Sequence, residues 1–426
     1  MNRKSRISLP RWSVAPEDSS PLQRKNFLNV QIDGIGIGLS SAANQFLPVF
    51  LTRLGATNFQ VGLLTSMPGF TGLIFSIFVG RFLQTRKKIV PWFSAARLMV
   101  ISAFAMSGIV TLIIPREYQV ATILAIWAVV TLPQITVNVA FSVVMNAVAG
   151  PNGRYALMSR RWTILGATTA IVATIAGQVL DRIGFPFNYQ IVFIGLSMGG
   201  LISYYFSNQL IIPDNVAAAA EVKTSGLRER VASSLTDIFS ERDFVRFSLQ
   251  RFVFLSGNAL GLPLFPLYYV REIHASDAWI GIINTAATAV ALLGYTLWVR
   301  TSQWRGSRFV LLASTFGMSL YPALMALTHQ VEWVAFYAAL GGFFQCGIDL
   351  VFFDELMKVV PPNRSAIFVS IAHSMQYLAT IFAPLIGTAL ASTPIGIGGA
   401  LLVSAAVRFA GFVLFALWVK QKPEGS

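Results

Sequence analysis

Twelve long apolar stretches, separated by short polar loops, dominate the chain between residues 26 and 419. Each has about 20 residues or more, the length that a helix needs to cross the roughly 30 Å hydrocarbon core of a bilayer. The pattern therefore predicts an all-α membrane protein with twelve transmembrane helices. The predicted spans 1 to 12 are residues 26–52, 58–80, 91–113, 118–149, 161–183, 189–212, 244–270, 276–299, 308–327, 331–359, 364–388 and 395–419.

The composition supports this interpretation and excludes several other classes of protein. Of the 426 residues, 55% are hydrophobic and only 12% are charged, whereas soluble domains carry about twice that charged fraction. Twelve spans leave no room for a soluble catalytic domain. The single Cys346 excludes an internal disulfide, and three histidines cannot supply a histidine-based metal cluster, so we expect no cofactor.

The net charge of +14 comes from the placement of basic residues rather than from a nucleic-acid site. When the N-terminus is placed in the cytoplasm, most Lys and Arg residues fall on cytoplasmic segments, as the positive-inside rule requires. The exceptions are Arg53, Arg116, Arg182 and Arg271 on the outer side, and Arg97, Arg251 and Arg408 within spans. We therefore expect a protein of the cell membrane with both termini in the cytoplasm. Its partners are expected to be membrane lipids and not nucleic acid, and we expect a monomer.

The loops divide the chain into two sets of six spans. Residues 26–212 and 244–419 form the predicted N-terminal and C-terminal bundles. The segment 213–243 is predicted to be a cytoplasmic linker, and the helical spacing of its apolar positions favours an amphipathic helix on the membrane surface. Residues 1–25 are predicted to be a disordered cytoplasmic tail, and residues 420–426 a second cytoplasmic tail.

The two halves carry matching residues at an offset of about half the chain. The matched positions are Pro48 with Pro266, Arg53 with Arg271, and Gly62 with Gly281. An internal repeat of this length in a protein with many spans is typical of transporters built from two related bundles.

Polar side chains recur in the middle of spans 4 and 10. Gln134 and Asn138 are four residues apart and share a helix face, and so do Gln345 and Asp349 in the other half. One interpretation is a substrate site at the bilayer centre; the other is hydrogen bonding that holds the helices together. A carboxyl group shielded from water favours its neutral form, so Asp349 is the leading candidate for a proton carrier, with Asp33 as the second.

Two further pairs are candidate gates. Asp33 and Arg251 occupy matching positions in spans 1 and 7, so they are predicted to meet when the cytoplasmic side closes; alternatively, each pairs within its own half. Asp354 in span 10 is predicted to pair with Arg300 after span 8, the alternative being simple interfacial charge.

The loop after span 2 carries the clearest resemblance to a known family. Gly80 opens it and Arg86, Lys87 and Lys88 form its basic cluster, while Gln84 stands where the family motif has an acid. With the six-plus-six topology, this segment resembles the major facilitator superfamily of secondary transporters. The resemblance implies two rocking bundles around a central cavity lined mainly by spans 1, 4, 7 and 10.

The sequence favours secondary transport of a small solute, with proton coupling as a hypothesis. A phosphate-binding Gly-x-x-x-x-Gly-Lys-(Ser/Thr) loop does not occur, so the energy must come from a gradient. A non-transporting sensor or scaffold with the same fold remains an alternative, and a membrane-embedded enzyme is disfavoured because acids and histidines do not cluster. Amphipathic drugs, sugars and amino-acid-like solutes all stay open, and the single central acid favours neutral or cationic cargo.

Overall fold

A computed structural model describes residues 19–212, 241–360 and 365–417, and every regular element in these ranges is a helix. The predicted amphipathic helix in the linker and most of both tails lie outside the described residues. Span 1 is helix Pro21–Arg53, span 2 Asn58–Gln84, span 3 Val90–Ile113, spans 4 and 5 helix Arg116–Arg182, span 6 Phe187–Asn208, span 7 helices Arg242–Gly261 and Leu264–Arg271, span 8 Asp277–Arg305, span 9 Ser307–Ala326, span 10 Val331–Val359, span 11 Ser365–Ala391 and span 12 Gly396–Ala416.

The prediction of an all-α protein with twelve spans in two bundles is confirmed. Eleven helical segments in the described part of the chain are long and apolar enough to cross a membrane. Asn58–Gln84 adds the twelfth span, since its 27 residues contain a single charged side chain, Arg81. Span 1 begins at Pro21 rather than at residue 26, because the Ser20 side chain caps its first turn by accepting a hydrogen bond from the backbone N–H of Gln23.

Helical residues connect spans 4 and 5 without a break, yet the chain reverses its direction between the two spans. The guanidinium of Arg161 lies 4.8 Å from the ring centre of Phe141, whereas a straight helix would separate residues twenty positions apart by about 30 Å. The sequence between them contains Gly150, Pro151 and Gly153, residue types that interrupt helices. The two membrane-crossing parts are Arg116–Ala149 and Leu157–Arg182.

Span 7 is broken in its last third. Its first helix ends at Gly261 and its second begins after Pro263, because proline has no backbone N–H to continue the helical hydrogen bonds. The matching helix of span 1 continues through Pro48. The two halves therefore differ where both approach the centre of the molecule.

The apolar core is shared by the two bundles at one end of the molecule and is divided into separate clusters at the other. One hydrophobic cluster contains Phe46 and Phe193 of the N-terminal bundle together with Leu264 and Ile280 of the C-terminal bundle. Toward the other end, two clusters, one in each bundle, take its place among the described residues. The bundles are thus packed together at the end that contains Arg53 and part from each other toward the opposite end.

Small residues allow the bundles to approach closely. Span 5 crosses span 8 at Gly177 and Gly281, where a Cβ on Gly177 would lie 2.7 Å from the carbonyl oxygen of Asp277. Span 2 crosses span 11 at Gly62, where an added Cβ would collide with the hydroxyl of Thr388. Since Gly62 and Gly281 are matched by the repeat, the two crossings are related by the internal symmetry.

Candidate functional site

A cavity of about 900 Å³ lies between the two bundles. Spans 1, 2, 3, 4 and 5 line it from one side, and spans 7, 8 and 9 from the other. Its volume falls within the range of about 300–1,000 Å³ that small-molecule sites occupy. The cavity therefore has the size of a site for a single small solute.

Amides and aromatic rings share the cavity wall. Gln134 and Asn138 line it, and the Gln134 amide donates to Oδ1 of Asn138 at 3.2 Å. Asn44, Gln45 and Asn284 are further lining amides, and Oε1 of Gln45 has no hydrogen-bond partner among the described residues. The aromatic residues of the wall are Phe104, Trp127, Phe141, Trp162, Phe265, Tyr269 and Tyr321. Such a wall suits a solute with both apolar and hydrogen-bonding surface.

Gln345 and Asp349 lie outside this wall, nearer the end where the bundles part. The Gln345 amide donates to Oδ1 of Asp349 at 2.8 Å, and the Tyr295 hydroxyl donates to Oδ2 at 3.0 Å. Asp349 is nonetheless exposed. Tyr295 is three helical turns from the lining residue Asn284 and therefore shares its face of span 8. The Asp349 cluster is thus placed along the opening of the cavity.

Asp33 is held within the N-terminal bundle in this conformation, not against Arg251. Its Oδ1 accepts hydrogen bonds from Arg97 at 2.6 Å and from the Ser203 hydroxyl at 2.6 Å. Its Oδ2 lies 3.9 Å from Nη2 of Arg161. The predicted pairing across the bundles is thus replaced by local pairing, because Arg97 of span 3 and Arg161 of span 5 reach Asp33 inside its own half.

The other predicted gate residues also have local partners. Arg251 donates to Oε1 of Gln376 at 2.8 Å and to the carbonyl of Ala372 at 3.3 Å, both in span 11. Asp354 pairs with Lys358 one turn along span 10, at 2.6 Å, rather than with Arg300. Arg300 lies exposed near the end of span 8. Arg251 and Asp354 thus have partners within their own bundle in this state.

The structure reveals polar contacts between the bundles that the sequence interpretation missed, at the end where the bundles are packed together. Arg53 at the end of span 1 donates from Nε to Oδ1 of Asp277, at 3.0 Å, and from Nη2 to the carbonyl of Ala275, at 3.0 Å. The hydroxyl of Tyr189 donates to the same Oδ1 at 2.8 Å. Since Asp277 begins span 8, these bonds join the N-terminal bundle to the C-terminal bundle.

The same arrangement occurs a second time, with the bundles exchanged. Arg271 at the end of span 7 donates to Oδ1 of Asn58 and to the carbonyl of Ala56, both at the start of span 2. Arg53 matches Arg271 at an offset of 218, and Ala56 and Asn58 match Ala275 and Asp277 at an offset of 219. We call the residues Arg53, Ala56, Asn58, Arg271, Ala275 and Asp277 the clasp. The repeated arginines were visible in the sequence, but their partners were not.

Further contacts below the clasp close the same part of the crevice. The hydroxyls of Thr174 and Thr285 lie 2.8 Å apart between spans 5 and 8, and Thr285 also donates to the carbonyl of Ala170. Toward the opposite end, Asn138 and Asp349 are exposed. The cavity is therefore sealed at the clasp end and accessible from the other end.

Sequence comparisons match part of the chain. The model of the Major Facilitator Superfamily matches residues 247–426. The multidrug resistance protein MdtG of Serratia proteamaculans is 28% identical over 179 residues, which are 40% of this chain and 42% of that protein. MdtG of Yersinia enterocolitica is 27% identical over 180 residues, with the same shares of each chain. The chain thus matches less than half the length of these curated relatives.

Solved structures match almost the whole chain. A mutant form of the nucleoside transporter NupG has a TM-score of 0.70 and 13% identity, and the match covers 93% of this chain and 100% of that one. An inward-facing, unoccupied bacterial homologue of the human lysosomal transporter Spinster has a TM-score of 0.61 and 13% identity, covering 94% and 96%. At these identities the structures support the fold alone. By the family model over residues 247–426 and by the two-bundle fold of nearly the whole chain, this protein is similar to the major facilitator superfamily.

Proposed function

We propose that the protein is a secondary transporter that moves a small solute across the cell membrane by alternating access. The observation that carries this proposal is the cavity of about 900 Å³ between the bundles, sealed by the clasp and accessible from the opposite end. A scaffold has no need for a solute-sized cavity with access from one side. Alternating access requires such a site and a gate that can exchange sides.

The clasp end is proposed to face outward. The basic loops and both termini belong at the opposite end, which the positive-inside rule assigns to the cytoplasm. In this assignment the structure represents an inward-facing state, with the solute site open to the cytoplasm. Opening of the clasp, together with closure of the Asp349 end, would give the outward-facing state.

Different residues of the cavity wall are proposed to bind different parts of the solute. Gln134, Asn138 and Asn284 offer hydrogen bonds to polar groups, and the aromatic rings cover apolar surface. Gln345 and Asp349 lie beside the opening, where a rocking motion of span 10 would bring them toward the solute. Asp349 is the proposed proton carrier, since its carboxylate has hydrogen-bond donors but no basic partner within 4.0 Å among the described residues.

Transport is tested in two steps with purified protein. A thermal-shift screen against metabolites and drugs finds solutes that stabilise the folded state. Those solutes, radiolabelled, are then tested for counterflow in proteoliposomes. We expect counterflow that falls at least 10-fold in Asn138→Ala and is retained in Thr136→Ala, a matched change on the same span but off the cavity wall.

Two outcomes would contradict this proposal. If a bound solute never crosses the membrane in counterflow, the protein is a sensor or scaffold. If Asn138→Ala and Thr136→Ala behave alike with well-folded protein, the cavity between the bundles is not the solute site.

A further inference from the structure

Two arginines in the wall of the cavity lie beside one buried carboxylate. Arg97 and Arg161 are each 3% exposed, Asp33 is 1% exposed, and both arginines line the cavity. They come from spans 3 and 5, whereas Asp33 comes from span 1. The site is therefore part of the N-terminal bundle and is contiguous with the face that carries Gln134 and Asn138.

The charges of this group do not balance. Asp33 accepts its close hydrogen bond from Arg97, and the 3.9 Å separation from Arg161 is too long for a hydrogen bond. Asp33 is the single carboxylate within 4.0 Å of either guanidinium among the described residues. One positive charge thus remains without a close counter-charge inside the protein. Burying a charge without a partner is strongly unfavourable.

Some polar atoms of this group lack hydrogen-bond partners. The Nε atoms of Arg97 and Arg161 and Oδ2 of Asp33 are buried and have no partner among the described residues. An arginine presents Nε and a terminal nitrogen as a planar fork that matches the two oxygens of a carboxylate or phosphate. Both guanidinium groups therefore keep unused donor capacity beside the cavity that they line.

Aromatic rings hold the two guanidinium groups in place. Arg97 lies 3.9 Å from the ring centre of Phe93, and Arg161 lies 4.8 Å from Phe141 and 5.3 Å from Trp162. Stacking restricts the rotation of the guanidinium planes and reduces the entropy that binding would otherwise cost. The excess charge is thus in a fixed position beside the cavity.

We propose that the cavity selects solutes that carry an oxyanion group, a carboxylate or a phosphate, which Arg161 binds with support from Arg97. This inference rests on the proposed transport function and specifies its substrate class. Asp33 orients Arg97 and leaves the group with a net charge of plus one, which the negative charge of a bound oxyanion offsets. The amides and rings of the wall then contact the remainder of the solute. This preference for anionic solutes is opposite to the sequence-based expectation, in which the single central acid, Asp349, favoured neutral or cationic cargo.

The test measures binding to the purified full-length protein in detergent, with chloride held constant. The probes are benzoate with its neutral amide, benzamide, and phenyl phosphate with phenol. We expect one of the anions to raise the melting temperature and to titrate by calorimetry, with the neutral partner at least 10-fold weaker. The comparison of benzoate with phenyl phosphate tells a carboxylate site from a phosphate site.

Variants locate the binding group. Arg161→Gln should weaken the anion about 10- to 100-fold, the range for losing one hydrogen bond to a charged group, and Arg161→Lys should recover part of the loss. Arg305→Gln is the matched control, because Arg305 also stacks on a ring, Phe309, but is exposed and away from the cavity. It should bind the anion as the unmodified protein does.

Four results would overturn the inference. Equal binding of each anion and its neutral partner would do so without any variant, so a misfolded Arg161→Gln cannot leave the question open. Unchanged anion binding by folded Arg161→Gln would also do so, as would equal stabilisation in a separate titration with sodium chloride and without the organic anions. Transport of neutral solutes that is insensitive to Arg161→Gln would contradict the anion site but support the transport function. Anion binding that depends on Arg161, without any counterflow, would contradict the transport function but support the anion site.

Discussion

Removing the carboxylate of Asp277 should open the clasp. Asp277→Ala deletes the acceptor that Arg53 and Tyr189 share, and both donors lose their partner at once. The Asp277 side chain is 7% exposed but that of Arg53 is 28% exposed, so water replaces part of what is lost. Only the state with the clasp closed contains these bonds.

The magnitude follows from the kind of bond. A hydrogen bond to a charged group contributes about 1.5–3 kcal/mol, and partial exposure of Arg53 leaves a net loss of about 2–3 kcal/mol for the whole group. This free energy corresponds to a shift of about 30- to 150-fold in the ratio of clasp-open to clasp-closed molecules. A clasp-open state populated at about 1% would become a major state.

The shift is measured as a distance between spin labels across the clasp end. Glu117 and Glu332 are exposed, belong to different bundles and occupy matched positions, so cysteines there report bundle separation once Cys346 is replaced by alanine. In Asp277→Ala the long-distance population should grow. Asp354→Asn breaks an exposed ion pair at the opposite end and should leave the distribution unchanged. A distribution in Asp277→Ala identical to that of the unmodified protein would refute the reasoning.

Three further changes test other parts of the structure. Asn58→Asp gives Arg271 a charged partner like that of Arg53, so the short clasp distance should become more populated and counterflow should slow several-fold; a longer distance would contradict the symmetry of the clasp. Gly281→Leu places a side chain where a Cβ already lies 2.7 Å from the carbonyl of Ala173, so the labels should move apart, and an unchanged distance would show that this crossing is loose. Asp349→Asn should abolish solute accumulation driven by a pH gradient while sparing counterflow, with Tyr295→Phe as a milder variant; accumulation at the normal level would exclude Asp349 as the proton carrier.

The membrane fold could be predicted from the sequence because it depends on properties of short segments of the chain. The length of an apolar stretch decides whether it can span a bilayer, and backbone groups in lipid must form hydrogen bonds within the helix. The offset between matched residues, such as Arg53 with Arg271, indicated two related bundles. The shared face of Gln134 and Asn138 followed from helical spacing alone.

Pairing between charges was decided by tertiary structure. Asp33 and Arg251 occupy matching positions, yet each has partners in its own bundle, since side chains from spans 3, 5 and 11 reach them first. The contribution of Asp277 to the clasp joins residues 224 positions apart, and no local pattern marks such a contact. The matched offsets of Asn58 and Asp277 were a signal, but only in combination with the neighbouring arginines.

The sequence by itself determined a helical membrane protein of two repeated bundles with polar groups at its centre, because span length, periodicity and repetition are properties of the chain. Only the tertiary structure decided which end of the crevice is sealed, and that Arg97 and Arg161 exceed the charge of Asp33 in the cavity wall. Those features depend on how whole helices approach one another, and the approach is set by the small residues and packed side chains of both partners together.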